Sequence, residues 1–189
     1  MVVNSSWDEL SKARTKRGNY PLPRLEDIMK LTKNKIFMNL EIKDWRVNQV
    51  FPKIIELIEK YDYFEQIAIS SFNHRYYQKI VEFNQNNTYG KKLSFGFLYG
   101  GGGNSKNYPY NFGNNTLNLL WKKINKRVCD KAHANGMAVF AWFYMGVDET
   151  DQILRQLFDS GIDILCTNDP RKAKKFRYKY YKHRKIRKR

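Results

Sequence analysis

Residues 35–43 read KIFMNLEIK. Their alternation sets Met38, Leu40 and Ile42 on one face of a strand and Asn39, Glu41 and Lys43 on the other. A parallel strand covered by helices on both faces has no use for a polar side. In a barrel the polar side points inward, toward the mouth at the strand's C-terminal end. There Glu41 offers a hard oxygen for Mg²⁺ or Ca²⁺, and Lys43 offers a point charge for a phosphate oxygen. On an exposed edge strand the same two residues are only a solvated ion pair. The pattern alone leaves both open.

Working outward, four more segments read as strands: QIAISSF (66–72), LSFGFLY (93–99), MAVFAWFYM (137–145) and IDILCTNDP (162–170). Helical spacing appears between them. LEDIMKLTKN forms a short helix, and 50–61 forms another with Pro52 in its first turn. Asn73 can cap HRYYQKIVEF. Residues 117–134 read as helix up to Asn135-Gly136, and 148–160 as helix between an Asp148 cap and a Gly161 stop. GGGGNSKNYPYNFGNN (100–115) is a long loop, either a mobile lid or simply irregular. The five strands alternate with helices, which predicts an α/β fold with a parallel sheet. It is either an open doubly wound sheet or part of a (β/α)8 barrel, which needs eight units and about 250 residues.

At 189 residues, 42% hydrophobic and 15% aromatic, the chain can bury a core. Two cysteines, Cys129 and Cys166, exclude a disulfide-dense scaffold and lack the paired spacing of a structural zinc site. No long apolar run suggests a membrane span, and MVVNSSWDELSK does not read as a signal peptide. The expected location is intracellular, in the cytoplasm or peripheral to a membrane. The net charge of +17 is uneven. Residues 171–189 hold 12 of the 35 Lys and Arg and none of the 18 acids, so the body carries 23 basic against 18 acidic residues.

Other candidates have plainer alternatives. Ser70-Ser71-Phe72 is a substrate-facing rim or a strand terminus. Trp142 is a pocket wall or core packing. Asn168 and Asp169 before Pro170 suit turn and cap chemistry. His74 and His133 fall in predicted helices with no carboxylate partner evident in sequence and read as structural, and His183 lies in the basic tail. The glycines at 100–103 lack the Lys-Ser/Thr of a phosphate loop.

Taken in order, LPRLEDIM (22–29), MNLEIK (38–43), ISSF (69–72), FGFLY (95–99), KAHANGMAVFAWF (131–143) and SGIDILCTNDP (160–170) resemble the later two-thirds of the glycerophosphodiester phosphodiesterase family. The resemblance covers roughly residues 8–175. It implies a partial (β/α)8 TIM-type barrel of about five βα units, strands four to eight of the family barrel. It also implies metal-dependent hydrolysis of glycerophosphodiesters to glycerol 3-phosphate and an alcohol, in lipid metabolism, with a glycerophosphodiester or lysophospholipid as substrate. Glu41 is then a metal ligand, Lys43 a phosphate contact and Trp142 part of the substrate wall. Phe143 and Met145 stand where the family has Thr and Asn. The family's HRG, Glu-x-Asp and HD motifs have no counterpart before residue 22, so no catalytic residue is assigned. The chain is expected to be inactive alone, with its Mg²⁺ or Ca²⁺ weakly bound or absent.

The domain is expected over 1–170. The tail over 171–189 interleaves its cations with Phe176, Tyr178, Tyr180 and Tyr181 and is expected to lack fixed structure. Its composition suits an anionic membrane or nucleic acid. Binding by a non-catalytic barrel fragment through this tail is the alternative function.

Overall fold

In a computed structural model of the chain, residues 4–88, 90–102 and 105–187 are described, residue 105 and residues 183–187 by backbone alone. Gly103, the side chain of His183 and the last two tail residues lie outside them.

Six strands form one sheet: β1 (Met38–Glu41), β2 (Ile67–Ser71), β3 (Phe95–Tyr99), β4 (Thr116–Leu120), β5 (Ala138–Trp142) and β6 (Ile164–Cys166). They lie side by side in chain order, β1-β2-β3-β4-β5-β6. The pairings from β3 to β6 are parallel. A doubly wound sheet reverses its strand order at a switch point, and this one does not. Successive strands that neighbour one another, with connections of helix and loop between, are the order of a barrel. The fold is α/β, a partial TIM-type barrel.

The helices are α1 (Trp7–Leu10), α2 (Leu25–Thr32), α3 (Val47–Lys60), α4 (Arg75–Asn86), α5 (Lys126–His133), α6 (Asp151–Ser160) and α7 (Pro170–Arg187). Three boundaries differ from the sequence reading. Residues 116–120, TLNLL, are a strand and not the start of a helix over 117–134. Parallel strands pair with it on both sides, β3 along residues 116–119 and β5 along 116–120, which overrides its weak helical preference. The strand count is therefore six rather than five, and the numbering four to eight does not fit it. Helix α3 begins at Val47, so Pro52 sits inside it and not in its first turn. The cap of α6 is Thr150, whose Oγ1 accepts from the Ile153 N–H at 3.3 Å, not Asp148.

The chain divides into two compact units, Met1–Ile69 with Arg75–Leu93, and Ser70–His74 with Ser94–Arg189. In the first, α3 buries Val47, Phe51, Ile54, Ile55 and Ile58, one stripe at helical spacing. Tyr63 is fully buried, and its hydroxyl shares a hydrogen bond with Thr32 Oγ1 at 2.6 Å. Helix α2 is fastened to α3 through Glu26, which accepts from Tyr61 Oη and from Lys60 Nζ at 2.9 Å. Those two donors hold the Glu26 carboxyl down at about 2.

In the second unit, Phe95, Phe97 and Tyr99 line one face of β3. The Gly/Asn-rich loop packs rings onto that face where a helix would otherwise lie. Phe112 stacks on Phe97 at 5.4 Å, and Tyr108 contacts Tyr99 at 4.8 Å. Tyr108 and Tyr110 are buried. The described part of this loop is outer-layer packing rather than a lid.

The expectation of an unstructured tail is corrected. Residues 170–187 form α7, with Asp169 Oδ1 accepting from the Lys172 N–H at 3.0 Å as its cap. Ala173, Phe176 and Tyr180 recur at helical spacing and are buried, Phe176 and Tyr180 in a cluster with Leu154 of α6. Tyr180 Oη donates to Asp159 at 2.6 Å. The charge run hides this stripe, because the cations occupy the remaining faces.

Candidate functional site

In the first unit, β1 shows the alternation expected of it. Met38 and Leu40 are partly buried, and Asn39 and Glu41 are exposed. Ile42 continues the covered face. Lys43 Nζ lies 3.8 Å from Glu41 Oε1, and the Lys43 side chain is largely exposed. The nearest carboxylate along the chain, Asp44, is engaged elsewhere. It accepts from the Arg46 backbone N–H at 2.8 Å and from Arg46 Nη2 at 2.5 Å, and the guanidinium holds its carboxyl down at about 2. Among the described residues, no three His, Cys, Asp or Glu side chains gather into a metal site.

In the second unit, Trp142 ends β5, half-buried. Its ring meets Phe72 edge-on at 6.0 Å and Tyr144 at 5.0 Å. Both partners expose about half of their surface, Phe72 45% and Tyr144 54%. Gly100, at the end of β3, adjoins both rings. These residues sit at or just beyond the C-terminal ends of β2, β3 and β5, the end at which barrel enzymes carry their chemistry. The Trp142 indole N–H is buried without a hydrogen-bond partner in the protein.

Further down the same face, Ser70 and Asn118 flank Gly96. Asn118 Oδ1 accepts from Thr116 Oγ1 at 2.6 Å. Ser70 Oγ and Asn118 Nδ2 are buried without partners. The rim residue of Ser70-Ser71-Phe72 is thus Phe72, since both serines are buried. Sequence reading missed Tyr144 and Asn118. The alternation of TLNLL carries a signal for Asn118, and nothing local marks Tyr144.

Two histidines with partners lie outside this region. His133 Nε2 is 2.8 Å from Asp163 Oδ2, which also accepts from the Val139 N–H at 2.7 Å. The absence of a carboxylate partner read from the sequence does not hold, because the partner lies 30 positions away. The pair joins the N-terminal ends of β5 and β6, the face associated with stability. His74 contacts the Leu98 carbonyl at 3.1 Å and packs on Phe97 and Tyr99. Burial lowers its pKa, partly opposed by that carbonyl. Below the ordinary value of 6.5 the unfolded chain binds a proton that folded His74 resists. Stability is therefore expected to fall as pH drops through 6.5 toward the lower folded value. Urea midpoints across that range should show it, and His74→Gln should flatten the slope.

Glu149 is a buried carboxylate that sequence reading passed over. It accepts from Thr167 Oγ1 and from the Asn168 N–H at 2.6 Å, fixing the turn after β6. Asn168 Nδ2 donates to the Tyr144 carbonyl at 3.0 Å. Asn168 and Asp169 thus do turn and cap work.

No protein-family model and no curated protein matches the chain. Solved structures do. A protein from Galdieria sulphuraria named as a glycerophosphodiester phosphodiesterase matches with a TM-score of 0.73 at 20% identity, over 92% of this chain and 70% of that one. The glycerophosphodiester phosphodiesterase of Parabacteroides distasonis matches with a TM-score of 0.68 at 18% identity, over 93% and 72%. One named likewise from Silicibacter pomeroyi matches with a TM-score of 0.66 at 14% identity, over 82% and 55%. The fold of this chain is the fold of these glycerophosphodiester phosphodiesterases, and it spans 55% to 72% of their lengths.

Proposed function

We propose that this chain is a section of a glycerophosphodiester phosphodiesterase barrel, acting on a glycerophosphodiester or lysophospholipid in lipid metabolism. The observation that carries this is Glu41 at the end of β1 with Lys43 just beyond it, 3.8 Å apart, within a sheet of barrel order. In this reading Lys43 contacts a phosphate oxygen. Trp142, with Phe72 and Tyr144, supplies a wall for the apolar part of the substrate. Glu41 is one carboxylate of a metal set.

The described residues do not fit the divalent metal. One carboxylate is not a Mg²⁺ or Ca²⁺ site, since calcium takes about 6–8 oxygens, and Asp44 is held by Arg46. The imidazoles do not supply a general acid–base pair either. His74 is held at the Leu98 carbonyl and His133 at Asp163. In this reading the chain alone is inactive. Incubating the purified chain with glycerophosphocholine and Mg²⁺ or Ca²⁺ should yield no glycerol 3-phosphate. Metal-dependent product release that is lost in Glu41→Gln would overturn the inactivity.

A second reading rests on the outer faces of α7, where Arg171, Lys175, Lys179 and Lys182 are exposed. A non-catalytic fragment would then bind an anionic membrane or nucleic acid through them, with affinity falling steeply as salt rises. No helix among the described residues is long and apolar enough to cross a membrane.

A further inference from the structure

Helix α7 has three faces. Ala173, Phe176 and Tyr180 share one sector and are buried, Phe176 and Tyr180 in the cluster with Leu154 of α6. Lys174, Arg177, Tyr178 and Tyr181 share a second, on the side of Leu165 and Thr167. Arg171, Lys175, Lys179 and Lys182 share the third, and all four are exposed. At 3.6 residues per turn they fall within about 80° of one another. Their sector is turned away both from α6 and from the edge of β6, so it owes nothing to where the sheet stops.

These cations stand in a single row. Successive members are about 5–6 Å apart along the helix axis, and the row is about 16 Å long. Among the described residues none of the four is in an ion pair, whereas Lys172 beside them is spent on Asp148 at 3.1 Å. The segment from 171 onward contains no acid to alternate with them. Like charges one turn apart cost a helix stability. Here the buried sector offsets that cost and holds the row straight.

We propose that this row binds the sugar–phosphate backbone of a single-stranded nucleic acid. The inference rests on the second reading above and chooses between its two partners. A helix that lies on a membrane enters it by an apolar face, and that face of α7 is taken up by α6. A row of regularly spaced cations instead matches a linear chain of regularly spaced anions. A flexible single strand can lay successive phosphates along it, while a stiff duplex winds its phosphates away from a straight line. The row carries cations only, so it positions a strand without reading its bases.

The probe is a fluorescein-labelled oligouridylate, read by anisotropy with the full chain at low and rising salt. Binding is expected, with a slope of log affinity against log salt of about −3, the value for four phosphates neutralised on a single strand. Lys175→Gln/Lys179→Gln should halve that slope and weaken binding by about tenfold or more. Lys174→Gln/Arg177→Gln removes the same charge from the second sector and should have a much smaller effect. Both pairs are exposed and leave the buried sector intact. Equal weakening by the two variants would overturn the row, leaving net charge alone as the cause. Tighter binding of a duplex of the same length would overturn the single strand. Phosphatidylserine vesicles that bind through Lys175 and Lys179 while the oligouridylate does not would overturn the inference and keep the reading it rests on. Binding of neither would overturn both.

Discussion

Replacing Phe176 with alanine is expected to destabilise the second unit by about 3–5 kcal/mol, the usual cost of emptying a buried aromatic site. Phe176 lies in the contact between α7 and α6. Its ring centroid is 5.5 Å from Phe158 and 6.0 Å from Tyr180, with Leu154 beneath. A lysine- and arginine-rich helix has little reason to form by itself, since like charges at helical spacing repel. The buried stripe is what holds it. Urea unfolding of Phe176→Ala beside Tyr178→Ala measures this directly. Tyr178 is 70% exposed, and its loss should change stability by less than about 0.5 kcal/mol. Equal, small effects from both variants would return residues 171–189 to the status of a solvated tail.

The second large effect is expected at Gly96, in the middle of β3. A Cβ built there falls 2.5 Å from Asn118 Nδ2 and 2.9 Å from Ser70 Cβ, closer than non-bonded atoms come. Neither neighbour yields easily. Both are buried, and Asn118 is tied to Thr116 Oγ1. Gly96→Ala should cost about 1–3 kcal/mol, and Gly96→Val more than that. Chemical denaturation reads both. The double variant Gly96→Ala/Asn118→Ala should recover part of the loss, with a coupling above about 0.5 kcal/mol, because it removes the atom in the way. Additive losses would show that the strain lies elsewhere.

The fold was legible where one periodicity dominates. KIFMNLEIK alternates cleanly, and Met38–Glu41 is a strand with its apolar side covered. The apolar run through residues 117–120 has no such clarity, because a buried strand and a buried helix look alike over so few residues. Only the strands on either side decide it. In the tail, Ala173, Phe176 and Tyr180 were readable as a stripe, but cations outnumber them. The candidate site divides the same way. Glu41 and Lys43 share a face through a local rule and are 3.8 Å apart. Phe72 and Tyr144 join Trp142 only through the topology, as do His133 and Asp163, and no local pattern foretells either meeting. The closure left open between a doubly wound sheet and a barrel is a matter of strand order, which periodicity does not encode.

That strand order has a consequence for how the sheet is made. Each strand lies beside the one synthesised just before it. A new strand therefore finds its template already in place, and the loop to be closed is one connection long. Growth can follow synthesis without waiting for distant residues. The same order means that a cut in any connection separates two contiguous blocks of sheet. Each block would then have one new edge that fits the other, so every connection in this row is a seam between contiguous blocks.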